Sequence, residues 1–157
     1  MRLISLLLCG LFASSCAHEK IRPGAWRDYQ SVGIRVESRI EGADIEAKWL
    51  RRIFNLKFKK TNLFSSVVEL KEGVSADLHV IAVIVRIKRW GRVKLFVDLE
   101  FREGKTGHLI GRRQVISLSG IRPKDSLGRR NKAAGQIAVD VANKALYFLR
   151  ERRRRAK

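Results

Sequence analysis

Between Leu78 and Arg102 the chain carries two long strand-like runs separated by a few residues, and that pairing calls for a sheet built outward from one antiparallel hairpin. The second run, Val93 to Arg102, alternates cleanly. Val93, Leu95, Val97, Leu99 and Phe101 fall on one face, and Lys94, Asp98, Glu100 and Arg102 on the other. The first run, Leu78 to Arg89, is apolar on both faces from Val80 to Val85, as suits a central strand. Loop length sets the register. With Trp90-Gly91-Arg92 as the loop, Arg89 opposes Val93, and Ile81, Val83, Val85 and Ile87 lie beside the apolar face of the next strand. A shorter loop turns Arg86 and Lys88 onto the core face, so the longer one is expected.

The rest of the sequence fits around this hairpin. Ser31 to Glu37 alternates Val32, Ile34 and Val36 with Gly33 and Arg35, which predicts a first strand. Asp44 to about Lys60 carries Ile45, Trp49, Leu50, Ile53 and Phe54 at helical spacing, with acids in the first turn and lysines in the last, as the helix dipole favours. Asn62 is a natural terminator, and Phe64 to Leu70 reads as a short strand. Gly104 and Gly107 mark a turn before a strand over His108 to Ser119, and Gly120 to Arg130 reads as a polar loop. Asn131 then caps a second helix with Ala134, Ile137, Ala138, Val141, Ala145, Phe148 and Leu149 on one stripe. The order β-α-β-β-β-β-α predicts a two-layer α+β sandwich, a mixed, mostly antiparallel five-stranded sheet with two helices on one face. The domain spans residues 31–150, followed by a basic tail at 151–157.

The amino terminus points to a compartment. Met1-Arg2 is followed by the apolar stretch Leu3 to Ala13 and by small residues up to Cys16, the layout of a secretory signal. A helix of that length reaches about 16 Å, roughly half a hydrocarbon core, and is too short to span one. Cys16 after small residues resembles a lipobox, so residues 1–15 read as a signal peptide and Cys16 as the acylated first residue of the mature chain. Cys9, preceded by leucines, lacks the small residue that cleavage needs. Residues 16–30 then form a tether, and Ala17 after the Cys favours sorting to the outer membrane.

Several short motifs carry a family resemblance. Cys16, the Gly42-Ala43-Asp44-Ile45 opening of the first helix, Asn62-Leu63-Phe64 with Val67-Val68, Ala76-Asp77-Leu78, the Lys105-Thr106-Gly107 turn and the helix from Ala133-Ala134 to Ala142 are its residues. Together they resemble the small bacterial outer-membrane lipoproteins of uncharacterised function, whose domain is similar to the amino-terminal α/β domain of TolB and to the curli secretion lipoprotein. The resemblance implies a fold and a periplasm-facing location. It brings no catalytic residues.

Catalytic signals are weak. His18, His79 and His108 are not at metal-ligand spacing, so neither a metal nor a cofactor is expected. His79 reads as a satisfied strand residue, and Asp98 and Glu100 as cross-strand ion-pair partners of basic residues rather than as an acid/base pair. Charge is the unusual feature. The 157 residues hold 34 Lys and Arg against 15 Asp and Glu, a net charge of +19. The excess sits in residues 86–94, 102–132 and 150–157, which the fold could bring to one end of the sheet. Arg86, Lys88, Arg89, Arg92, Lys94 and Arg152, Arg153, Arg154 and Arg155 are the candidate contacts for an anionic partner, a phosphorylated glycolipid or an envelope protein. A merely solvated basic face is the competing explanation. The sequence therefore reads as a non-enzymatic lipoprotein module held in the membrane by its lipid. The alternative is a nucleic-acid-binding basic domain, if the signal segment is not used.

Overall fold

A computed structural model describes residues 29–121 and 127–155. The signal segment, Cys16 and the tether up to residue 28 lie outside the described residues. The elements are β1 (Ser31–Ser38), α1 (Asp44–Lys60), β2 (Ser66–Glu69), β3 (Leu78–Lys88), β4 (Lys94–Glu103), β5 (Leu109–Leu118) and α2 (Leu127–Arg155). They form the expected α+β sandwich, with the sheet in the order β2-β1-β3-β4-β5. β1 pairs in parallel with both β2 and β3, while β3, β4 and β5 pair antiparallel. α1 packs over β1 and β2, and α2 over β4 and β5, with the two helices side by side.

The hairpin register is half as expected. Lys88 faces Lys94, Ile87 faces Leu95 and Arg86 faces Phe96, as the longer loop requires. The register then shifts between Ile84 and Arg86, so that Ile84 faces Val97, Ala82 faces Leu99 and Val80 faces Phe101. Val80, Ala82 and Ile84, not Ile81, Val83 and Val85, therefore face the helices, all completely buried. The reason is physical. Without the bulge at Val85, the side of β3 that carries Val80, Ala82 and Ile84 would also carry Arg86 and Lys88 into the core. One extra residue reverses the alternation and sends both cations to the open face.

The helices fill the layer with aromatic and small residues. In α1 the inward stripe is Glu46, Leu50, Phe54 and Phe58, turned slightly from the expected one, while Ile45, Trp49 and Ile53 are half-buried. Phe54 and Phe58 stack at 5.6 Å, Phe58 and Phe64 at 6.2 Å, and Phe101 on Phe148 of α2 at 4.8 Å. Each fully buried side chain of this size contributes about 1.5–3 kcal/mol. α2 buries the whole expected stripe, Ala134, Ile137, Ala138, Val141, Ala145, Phe148 and Leu149, and adds Ala142 to it. Small residues also allow close approach to α1: Trp49 lies against Gly135, and its Nε1 donates to Asn131 Oδ1 at 3.0 Å. Asn131 is thus not a cap. α2 already runs from Leu127, absorbing the end of the expected loop, and continues to Arg155, so most of the residues read as a basic tail are its last turns.

Local latches tie the sheet together. Asn62, with φ 51°, is the left-handed residue that ends α1. Asp77 accepts from the Ser31 amide and hydroxyl, both at 2.9 Å, while its own amide donates to Ser31 Oγ at 2.8 Å. These bonds, the Ser31 amide foremost, hold the Asp77 carboxyl below the usual carboxylate range. Tyr29 is buried and the Gln30 amide also donates to Asp77, so the last two residues read as tether belong to the domain. At the edge, Lys144 of α2 donates to the Ile116 carbonyl of β5 at 2.9 Å, which engages an acceptor that a further strand would otherwise pair with.

Beyond β4, the Gly104 amide donates to the Asp77 carbonyl at 2.8 Å, and a Cβ at Gly104 would collide with the Ala76 carbonyl oxygen. That neighbour is backbone and cannot swing away. Gly104→Ala is expected to lower the unfolding free energy by about 1–3 kcal/mol, read from the midpoint of urea denaturation at unchanged slope.

Candidate anion-binding surface

The face of the sheet away from the helices is uncovered, and its two ends differ. Along β4 it carries Lys94, Phe96, Asp98, Glu100 and Arg102. The acids are already matched. Asp98 accepts from Arg112 Nη2 and Gln114 Nε2 of β5, both at 3.0 Å, and Glu100 Oε2 accepts from Arg102 Nη2 at 2.9 Å. Both carboxylates are held in ion pairs by arginines of β5 and of β4 itself, not by the basic end of β3. This is the arrangement of a salt-bridged sheet face.

Toward the hairpin tip the balance changes. Arg86 and Lys94 lie over opposite parts of one aromatic neighbourhood, 5.2 and 5.3 Å from the centre of the Phe96 ring. Lys88 stands directly opposite Lys94 in the register, a like-charge pair that costs stability unless an anion compensates it. Arg92 is exposed, and Trp90 at the tip is 99 % exposed. An indole so placed contributes nothing to packing. Its ring suits stacking or a water–lipid interface. Arg86, Lys88, Arg92 and Lys94 therefore form one cationic surface around Phe96 and Trp90.

Arg89 does not join them. It donates to the Gly42 carbonyl and stands 3.5 Å from Glu46 Oε2, whose side chain is only 3 % exposed. Its work is to neutralise a carboxylate that the first turn of α1 buries. Nor do the arginines at the end of α2 converge with the hairpin. Arg153 donates to the Leu63 carbonyl at 2.6 Å and to the Tyr29 carbonyl at 2.7 Å, with its guanidinium 4.8 Å from the Phe64 ring centre. Arg152 lies over Phe148 at 5.1 Å, and Arg154 and Arg155 are exposed. Tyr29 precedes β1 where Ser31 lies beside the start of β3, whereas the hairpin is at the far end of β3. Along the 11 residues of β3 that separation is about 35 Å, at roughly 3.3 Å per residue. The expected single basic end is thus two ends.

His79 occupies the open face between the charged rows, opposite Gly33 on one side and Arg102 on the other. Its Nε2 is buried without a hydrogen-bond partner while the Ala76 backbone bonds the ring, so the residue is satisfied only in part. Burial first, and Arg35 second, push its pKa below the usual 6.5. Among the described residues, no group of His, Cys, Asp and Glu is arranged to hold a metal, and no helix is long and apolar enough to cross a membrane.

No family model and no curated protein matches the chain. Solved structures do resemble it. Protein XCC0632 of Xanthomonas campestris, from the DUF330 family, aligns at a TM-score of 0.61 and 10 % identity over 87 % of this chain and 93 % of its own. The hypothetical protein CT253 of Chlamydia trachomatis aligns at 0.56 and 8 % identity, over 76 % and 95 %. PelC of Paraburkholderia phytofirmans, solved as a dodecamer, aligns at 0.53 and 12 % identity, over 74 % and 87 %. At such identities the likeness is one of fold. It shows that this α+β sandwich is an established bacterial architecture.

Two outcomes follow from the site. Arg89→Gln is expected to cost about 1–3 kcal/mol in chemical denaturation, less than for a fully buried pair because the Arg89 side chain is 38 % exposed. For His79, the unfolded state takes up a proton near 6.5 while the folded state resists it. Its contribution to stability is complete above pH 6.5 and is lost as pH falls toward the depressed folded value. His79→Gln should flatten that part of the stability–pH curve, whose slope from one such group is at most about 1.4 kcal/mol per pH unit.

Proposed function

We propose that this protein is a non-enzymatic outer-membrane lipoprotein facing the periplasm, anchored by acylated Cys16, that works as an interaction or assembly module. The cationic hairpin end docks an anionic envelope partner, such as a phosphorylated glycolipid. The observation that carries this reading is the hairpin itself: Lys88 facing Lys94, Arg86 and Lys94 over Phe96, and Trp90 fully in solvent. Four neighbouring cations without an acid among them attract phosphate, and the aromatic rings favour an amphiphilic partner over a fully hydrated ion.

The anchor gives the domain a direction. Tyr29, where the tether ends, lies at the Arg153 end of the sheet, so Arg152, Arg154 and Arg155 stand nearest the anchoring bilayer. Each cation near an anionic membrane adds about 1 kcal/mol, and a lipid anchor benefits from such a second contact. The hairpin then points away from the anchor. Catalysis has no part in this mechanism; binding is display of one charged end by a tethered, rigid domain.

Retention on vesicles containing anionic phospholipid tests the reading. Replacing Arg86, Lys88, Arg92 and Lys94 by Glu should weaken retention about a thousandfold or more, at roughly 1 kcal/mol per cation lost, and should lessen its salt dependence, leaving the part that the arginines of α2 contribute. Unchanged salt-dependent retention would sink the docking surface. Mass spectrometry of the protein from its own cells should find the chain beginning at acylated Cys16; full-length, unacylated chain in the cytosol would sink the anchor.

A further inference from the structure

A second cationic feature lies on the helical side, sharing no residue with the hairpin. A groove of about 730 Å³ opens where α1 and α2 approach the edge strand β5. Its walls carry Lys57 and Lys60 of α1, Arg113 of β5, and Lys144 and Arg150 of α2, and no acidic residue lines it. Three separate elements thus supply charge to one cavity, whose size is that of a small-molecule site rather than of a single ion.

One groove cation is already matched: Lys144 Nζ donates to Asp140 Oδ2 at 2.7 Å, while Glu151 Oε1 accepts from the Tyr147 hydroxyl at 3.1 Å. Among the described residues no acid pairs with Lys57, Lys60 or Arg150. The helix dipole accounts for part of the cluster, since Lys57 and Lys60 stand in the last turn of α1. It does not account for Arg113, which stands on a strand with its guanidinium 5.8 Å from the Phe148 ring centre. Val115 and Leu146 supply an apolar floor, and Tyr147, 59 % exposed, stands on the wall.

We propose that this groove binds a ligand bearing two or more phosphate groups. The number of cations favours several anions over one. Cations on three elements around a cavity of this size match a chain of phosphates, and Arg113 and Arg150 offer the planar forks that grip phosphate oxygens two at a time. The phosphates could be carried by a lipid headgroup or by a soluble molecule, and competition separates the two.

Titration calorimetry of the protein with tripolyphosphate provides the test. Saturable binding is expected, with orthophosphate much weaker. Lys57→Glu combined with Arg150→Glu should weaken tripolyphosphate about tenfold or more, while Lys48→Glu with Lys105→Glu, the same change of charge at exposed sites outside both surfaces, leaves it unchanged. Equal loss in both pairs, or orthophosphate binding as tightly as tripolyphosphate, would overturn the groove in favour of general charge attraction. The unsubstituted protein supplies a readout that no folding defect can disturb. Tripolyphosphate should shield Lys57 and Lys60 from an amine-acylating reagent, mapped by mass spectrometry, and leave the exposed Lys48 and Lys105 reactive. Lys57 and Lys60 reacting as freely with tripolyphosphate as without it would overturn the assignment, whatever the hairpin surface binds. Displacement of tripolyphosphate by cardiolipin vesicles, whose headgroup carries two phosphates, assigns the phosphates to a lipid; failure of these vesicles to displace it assigns them to a soluble ligand.

Discussion

The bulge at Val85 is the constraint on which the molecule depends. β3 is the central strand, and it must bury apolar side chains on both faces along its first part while carrying Arg86 and Lys88 in its second. A regular strand cannot keep one face apolar throughout with this sequence. Because the side-chain period is two, a single inserted residue exchanges the faces, so Val80, Ala82 and Ile84 meet the helices before it and Ile87 after it. The same residue that completes the core places Arg86 and Lys88 beside Phe96 on the open face. Packing and surface charge are set by one event in the backbone.

Charge in this protein serves different ends in different places. Glu46 is buried and Arg89 neutralises it; Arg153 ties the end of α2 to backbone carbonyls on either side of the sheet edge; Arg102 and Arg112 match the two carboxylates of the open face. These cations are committed to the fold, and replacing them costs stability. What remains exposed separates into the hairpin end, the end of α2 and the groove. A net charge of +19 therefore overstates what is available to a partner, because part of it is consumed internally.

Much of the fold was legible because its signals are local. The alternation of β4, the stripe of α2 and the acids and lysines at the two ends of α1 each depend on near neighbours in sequence, and the structure keeps all of them. The bulge was not legible. Ile81 to Val85 is apolar at every position, so the pattern does not say which residues face the helices until the position of the partner strand is known. The candidate site was legible only as a list of cations. Arg89 and Arg92 look alike in sequence, and only the burial of Glu46 separates a structural arginine from an exposed one. The groove left no local trace either, since Lys57, Arg113 and Arg150 come from distant parts of the chain. Two of these belong to runs noted for their charge, but nothing in the spacing brings them together.

The open face of the sheet is not one uniform basic surface. That face carries Asp98 and Glu100 as well as the cations, and their ion pairs with Arg112 and Arg102 leave it close to neutral in the middle. Only its hairpin end is attractive to phosphate. The exposed arginines of α2 lie at the other end of β3, about 35 Å away at roughly 3.3 Å per residue, so the two basic ends meet an anionic surface separately.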